Sequence, residues 1–461
     1  MNRLSGVKPS RVVAALFCGT AAAAAQGQFQ NSTNAGSAIE QSPGAIQAPG
    51  PEQQTWNWHV QNTDIVQAYP GFHAPYSGPN SLRPGGEIRE TVSLDLYAGV
   101  RLWRGAEAHI DGLMWQGFGL SRTLGVDAFP NGEGFRLGTA VPNVNIPRLF
   151  IRQTINLGGE EQAIEDDPFH LAGKRDVSNI TLTLGKMGAK DIFDNNAYSN
   201  DPRTQFMNWA LMANEAWDYP ADSLGYIPGF AAELNQPRWS ARYGFFQMPR
   251  VSNGVALDGH FLKAWGMVSE FEYRYNLATH PGTVRFLSFL NRAHMGNYQE
   301  AIDSSLRPAD ITAVRAYRYK YGFGLNIEQE VVTNIGVFAR LGWSDGRTEG
   351  WAFSDVDRTA TAGLSIKGAF WARPDDTVGV AGIINGITGV HQEFFGAGGI
   401  GILAGDGALN YGWEKVMELY YDFKLIKGLH ATLDYQFVDN PAFNRDRGPV
   451  SVISARLHFE Y

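Results

Sequence analysis

The chain has 461 residues, 44% of them hydrophobic and 12% aromatic but only 18% charged, with a formal net charge of −8. Charge lies below the roughly 25% usual for soluble domains, and so many aromatics exclude a disordered chain. Beyond residue 25 no stretch reaches the ~18 apolar residues of a membrane helix, and an acidic chain without a basic block excludes a nucleic-acid partner.

Residues 1–25 read as a secretory signal. Arg3, Lys8 and Arg11 form its positive part, 12–17 its apolar part, and the alanine run 21–25 a small-residue cleavage site. Cys18, the only cysteine, falls inside it, so the processed chain has no thiol for a disulfide, a metal or a nucleophile. Residues 26–54 are rich in Gln, Asn, Ser, Ala, Pro and Gly, and are expected to form a flexible polar leader.

From Trp56 onward the hydropathy alternates with a period of two. Val92, Leu94, Leu96, Ala98 and Val100 oppose Ser93, Asp95, Tyr97 and Arg101. Tyr319, Tyr321, Phe323, Leu325 and Ile327 oppose Arg318, Lys320, Asn326 and Glu328 in the same way. Such runs last nine residues or more, the length of a tilted strand crossing a bilayer, where soluble strands average 5–6. About sixteen segments follow one another from near Trp58 to near Val450, including starts near Thr91 and Arg148.

Connections after odd-numbered segments are long: 70–90, 116–147, 188–227, 293–315 and 386–412. Those after even-numbered segments are short, as at 104–105 and 236–237; the long connection 158–176 breaks the alternation. Trp239, Trp265, Tyr275, Trp343 and Trp413 stand at segment ends on the apolar parity, where an interfacial aromatic girdle belongs. The expected fold is all-β: a transmembrane antiparallel β-barrel of about sixteen strands over residues 55–461, with one loop folded inward.

Charges facing lipid are costly, so the polar parity must face the lumen. It carries Arg101, Arg152, Arg242, Glu270, Glu272, Arg274, Arg318, Lys320, Glu328 and Arg340. Both signs are present. Mixed signs suit a neutral, hydroxyl-rich solute, whose groups donate and accept; they also arise where Arg and Glu satisfy one another across the wall.

The longest connection, 188–226, holds Asp191, Asp194, Tyr198, Asp201, Arg203, Gln205, Asn208, Trp209, Trp217 and Asp218. A loop this long without function is uncommon, and its aromatics are poorly suited to water, so it is expected to enter the lumen as a constriction. Its rings either stack on the apolar face of a sugar or pack the loop against the wall. The runs Asp191-Ile-Phe-Asp194, Asn196-Ala-Tyr198, Asn200-Asp-Pro-Arg-Thr-Gln-Phe206, Asn208-Trp-Ala-Leu211 and Trp217-Asp-Tyr-Pro220 resemble the carbohydrate-selective outer-membrane porins of the OprB type. So do Ala232-Glu-Leu-Asn235, Arg242-Tyr-Gly244, Phe289-Leu-Asn-Arg-Ala293 and the aromatic end of the last strand.

The resemblance implies a sixteen-stranded outer-membrane channel of a Gram-negative bacterium that passes glucose and related sugars by diffusion. Its partners are then membrane lipid and small neutral sugars; a homo-oligomer stays open, since no interface shows in the sequence. A general channel, or a hydrolase on the same barrel, are the alternatives. The hydrolase needs Ser/His or Asp/His pairs at one barrel end, and none stands out. Gly342-Trp-Ser344-Asp-Gly346 matches G-x-S-x-G without a following helix, and Gly396-Ala-Gly398-Gly-Ile-Gly401 matches G-x-G-x-x-G without a βαβ unit. The histidines are scattered and the aspartates lack calcium-loop spacing, so no catalytic residue, metal or cofactor is expected.

Overall fold

The computed structural model describes residues 53–134 and 138–461. The expected signal 1–25 and the leader up to residue 52 lie outside the described residues. The strands, in chain order, are β1 (Trp56–Tyr69), β2 (Glu87–Trp103), β3 (Ala106–Gly117), β4 (Thr139–Asn156), β5 (Glu161–Ile164), β6 (Gly173–Asp176), β7 (Asn179–Met187), β8 (Ile227–Asn235) and β9 (Trp239–Gln247). They continue as β10 (Trp265–Leu277), β11 (His280–Met295), β12 (Ala316–Val332), β13 (Ile335–Ser344), β14 (Arg358–Lys367), β15 (Thr377–Gly386), β16 (Glu414–Ile426), β17 (Leu429–Asp439) and β18 (Val450–Glu460).

All of them except β5 and β6 form one closed barrel of sixteen antiparallel strands. Closure joins the first strand to the last, from Gln61 opposite Glu460 to Ala68 opposite Ile453, and leaves the wall without a free first or last strand. Period-two alternation becomes two faces. On β18, Val452, Ser454, Arg456 and His458 point inward and are buried, whereas Ile453 and Leu457 point outward and are 62% and 42% exposed. Outward aromatics mark both rims: Trp58 meets Tyr461 at 5.3 Å at one end, and Trp265 meets Tyr319 at 6.2 Å at the other. The 104–105 turn needs a left-handed backbone at Gly105 (φ 76°), and a Cβ there would stand 2.2 Å from the Thr154 carbonyl oxygen.

Two elements depart from the sequence reading. β4 starts at Thr139, not near Arg148, and contains Pro142 and Pro147. Residues 139–147 pair only with β3, because β7 reaches no further along β4 than Leu149; a proline costs no ladder hydrogen bond on such an open edge. The connection 157–178, long at the short-turn end, carries a second sheet of β5 and β6. Its tip enters the barrel: the Asn57 amide donates to Asp166 Oδ1 at 2.7 Å and to the carbonyls of Asp167 and His170. Phe169 meets the edge of Tyr97 at 5.5 Å, inside the wall.

The apolar core therefore lies inside the cylinder, where loops from the long-loop end pack on the inward side chains. Phe206 packs against Phe338 of β13 and Tyr420 of β16 at 5.5 and 4.8 Å. Among the described residues no helix is long and apolar enough to cross a membrane.

Candidate functional site

The loop 188–226 follows β7 and turns back into the barrel. Its fixing points are ion pairs to the wall. Arg148 of β4 grips Asp191 with two hydrogen bonds of 2.8 Å and donates a third, also 2.8 Å, to Asp111 of β3. The same guanidinium lies over the rings of Phe169 and Tyr226, 4.8 and 4.7 Å from their centres. One arginine thus joins the inward loop, the wall and the hairpin that enters from the other end.

Further along, Asp194 receives Arg340 Nε at 3.2 Å, the Asn326 amide at 2.7 Å and the Asn214 N–H at 2.7 Å, while its own N–H donates to Glu270 at 2.7 Å. Burial pushes the Asp194 carboxyl up, but Arg340 and Lys190 beside it more than offset this and hold it below the usual range. Burial pulls the Lys190 ammonium down to about 7, against the opposing pull of Asp194; its Nζ donates to the Asp194 carbonyl and to Asn200. Arg203 reaches Asp95 at 2.7 Å and Glu133 at 3.1 Å.

Other expected residues bind within the loop or to its base. Asp201 caps the Arg203 N–H at 2.9 Å, and Gln205 accepts from the Asn200 N–H and donates to the Ala197 carbonyl. Asn208 caps the helical turn α1 (Trp209–Met212) through the Ala210 N–H and donates to the Ala128 carbonyl and to Gln436. Asp218 accepts the N–H groups of Trp351 and Ala352 and pairs with Lys320 at 3.4 Å. Tyr198 lies over Gly336, and its hydroxyl is pushed up to about 12 by burial and by Glu328 and Glu330.

Trp209 and Trp217 are only 5% and 3% exposed. Trp209 stacks on Phe129 at 5.0 Å and meets Phe353 at 4.7 Å; Trp217 meets Tyr219 at 5.2 Å. Of the two readings of these rings, packing describes this pair in the structure, where neighbouring aromatics surround both. Several polar groups of the same loop stay half-buried instead: Lys190, Tyr198, Asn200, Asp201 and Gln205.

The expected lumen-facing charges fall into three groups. Arg340, Lys320, Glu270 and Glu328 bind the loop, Glu328 through the Ala197 N–H at 2.6 Å. Arg242 bonds Glu233, Glu270 and Glu272 at 3.1, 2.7 and 3.0 Å, Arg274 also pairs with Glu272, and Arg285 links Glu272 to Glu328 at 2.8 and 3.2 Å. These side chains form one continuous ladder along β8 to β12. Arg101 and Arg152 hold the hairpin base and tip, through Gln54 and the Phe169 carbonyl, whereas Arg318 pairs with Glu300 at the long-loop rim. Sequence reasoning overlooked Arg148, Glu233 and Arg285; Arg285 alternates with the apolar Val284 and Phe286, so parity alone would have found it.

The fold also makes an Asp/His pair that the sequence does not show. His391 Nδ1, on the helix α2 (Gly389–Gly396), lies 3.0 Å from Asp357 Oδ2, and Ser344 Oγ is 3.4 Å from Asp357 Oδ1. Serine meets the aspartate and not the imidazole, and the Tyr298 ring stacks on His391 at 4.1 Å, so the cluster ties loops together.

A closed barrel with an apolar outside, aromatic rims, a charged inside and an inward loop defines an outer-membrane channel. The model of the carbohydrate-selective porin, OprB family, matches residues 79–461, and the chain belongs to that family. The high-pH structure of Pseudomonas putida OprB is similar at 16% identity and a TM-score of 0.66, covering 88% of this chain and 94% of that one. Its low-pH structure is 14% identical with a TM-score of 0.48, covering 88% and 93%, and Pseudomonas aeruginosa OccK2 is 11% identical with a TM-score of 0.43, covering 88% and 97%. No curated protein sequence matches the chain. It is a passive channel for sugars in the outer membrane of a Gram-negative bacterium, its wall in lipid, its long loops outside and its short turns in the periplasm.

Proposed function

We propose that small neutral sugars of the glucose type cross between the tip of the inward loop and the Arg–Glu ladder. The sugar is held there by Lys190, Tyr198, Asn200, Asp201 and Gln205 on one side and by Glu233, Arg242 and Arg274 on the other. The observation that carries this reading is the pairing within the ladder. Arg242, Arg274 and Arg285 each contact a carboxylate, so the wall offers donors and acceptors at close spacing without a field of one sign. A hydroxyl-rich solute exchanges its water for these groups at little cost, whereas an ion gives up hydration without a matching counter-charge.

Liposome swelling tests it. Vesicles holding the purified protein should swell faster in glucose than in gluconate at equal osmolarity, and glucose should lower the single-channel ion current. Equal swelling rates and an ion current indifferent to glucose would reject the assignment and favour a general channel.

A further inference from the structure

On the outside of the barrel, the long-loop rim between β9 and β12 carries cations without carboxylate partners. Arg292 faces outward near the end of β11, across the sheet from Trp265 of β10 on one side and Tyr319 of β12 on the other. Its guanidinium lies over the Tyr319 ring, 5.4 Å from the centre, and donates to the Leu262 carbonyl at 3.4 Å. Lys263 Nζ stands 5.7 Å from the centre of the Tyr317 ring, the next outward position on β12. Arg250, exposed on the same loop as Lys263, lies within electrostatic reach of the Tyr317 hydroxyl, as Arg292 does. Trp265 and Tyr319 belong to the aromatic rim, so these cations stand at headgroup height.

Other outward cations at this end of the wall are balanced: Lys186 pairs with Asp222 at 3.8 Å and Lys415 with Asp439 at 3.2 Å. Among the described residues, neither Lys263 nor Arg292 has a carboxylate oxygen within 4.0 Å. The carboxylate beside them, Asp258, is buried and already accepts the Tyr317 hydroxyl at 2.9 Å and the His260 N–H at 2.8 Å. The remaining titratable neighbours are His260, which also meets Asp258, and His294, whose ring lies 5.3 Å from that of Tyr317. Phe261 and Leu262 precede Lys263 and are 59% and 72% exposed. Large apolar side chains beside unpaired cations are unfavourable in water and suit a surface where acyl chains meet charged headgroups.

We propose that this patch is a seat for a phosphorylated lipid of the outer leaflet, its phosphate on Lys263 and Arg292 and its acyl chains against Phe261 and Leu262. Charge complementarity selects the headgroup: an ammonium and a guanidinium with donors to spare form charge-assisted hydrogen bonds to phosphate oxygens. The apolar pair and the aromatic rim select a lipid over a free phosphate ion, which would use neither. The long loops face outside, so the lipid comes from the outer leaflet.

Native mass spectrometry of the purified protein tests the seat with three probes: bis-phosphorylated lipid A, the same lipid with both phosphates removed, and inorganic phosphate. Lipid A should bind, the dephosphorylated lipid should bind at least tenfold more weakly, and inorganic phosphate should not displace lipid A. Lys263→Gln combined with Arg292→Gln should weaken lipid A binding ~30-fold, from ~1 kcal/mol for each charge near an anionic lipid and 1.4 kcal/mol per tenfold. Lys186→Gln combined with Lys415→Gln removes the same charge from paired sites on the same rim and should bind like the parent. Heat-modifiable mobility and ion conductance should be unchanged in both variants, and the three-probe comparison uses the parent protein alone. No lipid A adduct, equal binding of the dephosphorylated lipid, displacement by inorganic phosphate, or equal losses in the two double variants would each overturn the proposal.

Discussion

Arg340 Nε, on the wall strand β13, lies 3.2 Å from Asp194 Oδ2 in the inward loop, with side chains 0% and 2% exposed. The same guanidinium donates to the carbonyls of Leu211, Ser199 and Asp194, so one side chain holds the start, middle and end of a single loop segment. Barrel closure does not depend on it, because the strand ladder runs through backbone groups.

Arg340→Met should therefore release the loop and leave the barrel intact. It strands Asp194 and the carbonyls without their donor, and breaking a buried pair of this kind costs about 3–5 kcal/mol. Limited proteolysis within 194–214, together with a larger single-channel conductance at unchanged heat-modifiable mobility, is the expected result. A variant that resists proteolysis and conducts like the parent would show that the loop is held elsewhere.

Lys190 makes the site sensitive to pH. With its ammonium pulled down to about 7, it is neutral in the folded chain and protonated in the unfolded chain between about 7 and the ordinary lysine value of ~10.4. The unfolded state then binds more protons in that window, so the loop gains stability as pH rises through it. Loss of the positive charge beside the constriction should also move the channel toward cations between pH 6 and 8. Reversal potentials across a salt gradient check this, and Lys190→Met should remove the pH dependence without altering its high-pH limit.

The sequence made the wall legible because lipid on one side and water on the other impose period two on every strand. β18 shows this residue by residue. The start of β4 escaped because Pro142 and Pro147 signal an end to pairing, whereas an edge open on one side tolerates them. Parity placed the lumen charges but not their partners. Arg340 holds a loop through contacts more than a hundred residues away in the chain, whereas Arg242 meets ladder partners on the neighbouring strands β8 and β10. The rings of Trp209 and Trp217 read equally as sugar platforms or as packing, since both roles need the same residue type.

Trp209 separates those roles experimentally. In the structure its ring fills a stack between Phe129 and Phe353, so Trp209→Phe should keep glucose block close to the parent value. Trp209→Ala leaves a void, and truncations of this size cost about 3–5 kcal/mol. It should loosen the loop and raise conductance. If Trp209→Phe alone lowers glucose affinity tenfold with unchanged conductance, the ring touches sugar.

Glu272 is the ladder's junction, bonded to Arg242, Arg274 and Arg285. Glu272→Gln keeps the shape and removes one negative charge from a group in which three guanidiniums face Glu233, Glu270, Glu272 and Glu328. The reversal potential should shift toward anions, and gluconate entry should rise relative to glucose. An unchanged reversal potential would place the ladder outside the conducting path.

The hairpin of β5 and β6 narrows the barrel from the periplasmic end. Asn57, Arg152 and Arg101 bind its backbone, and Phe169 reaches Tyr97 and Arg148, next to the residue that anchors the inward loop. The wall does not need it: β4 and β7 pair directly as far as Asn156 opposite Asn179. Replacing 158–177 with a two-residue Asn-Gly turn should therefore give a folded barrel, since such a turn suits antiparallel neighbours. Phe169 and its backbone would leave the lumen, so ion conductance should rise and larger sugars should enter swelling assays from which the parent excludes them. Arg148 would lose one ring but keep Asp111 and Asp191, so the inward loop should remain protected from protease. Conductance equal to the parent's would mean that the hairpin lies beside the conducting path, and a protease-sensitive loop would mean that Phe169 supports the anchor from below.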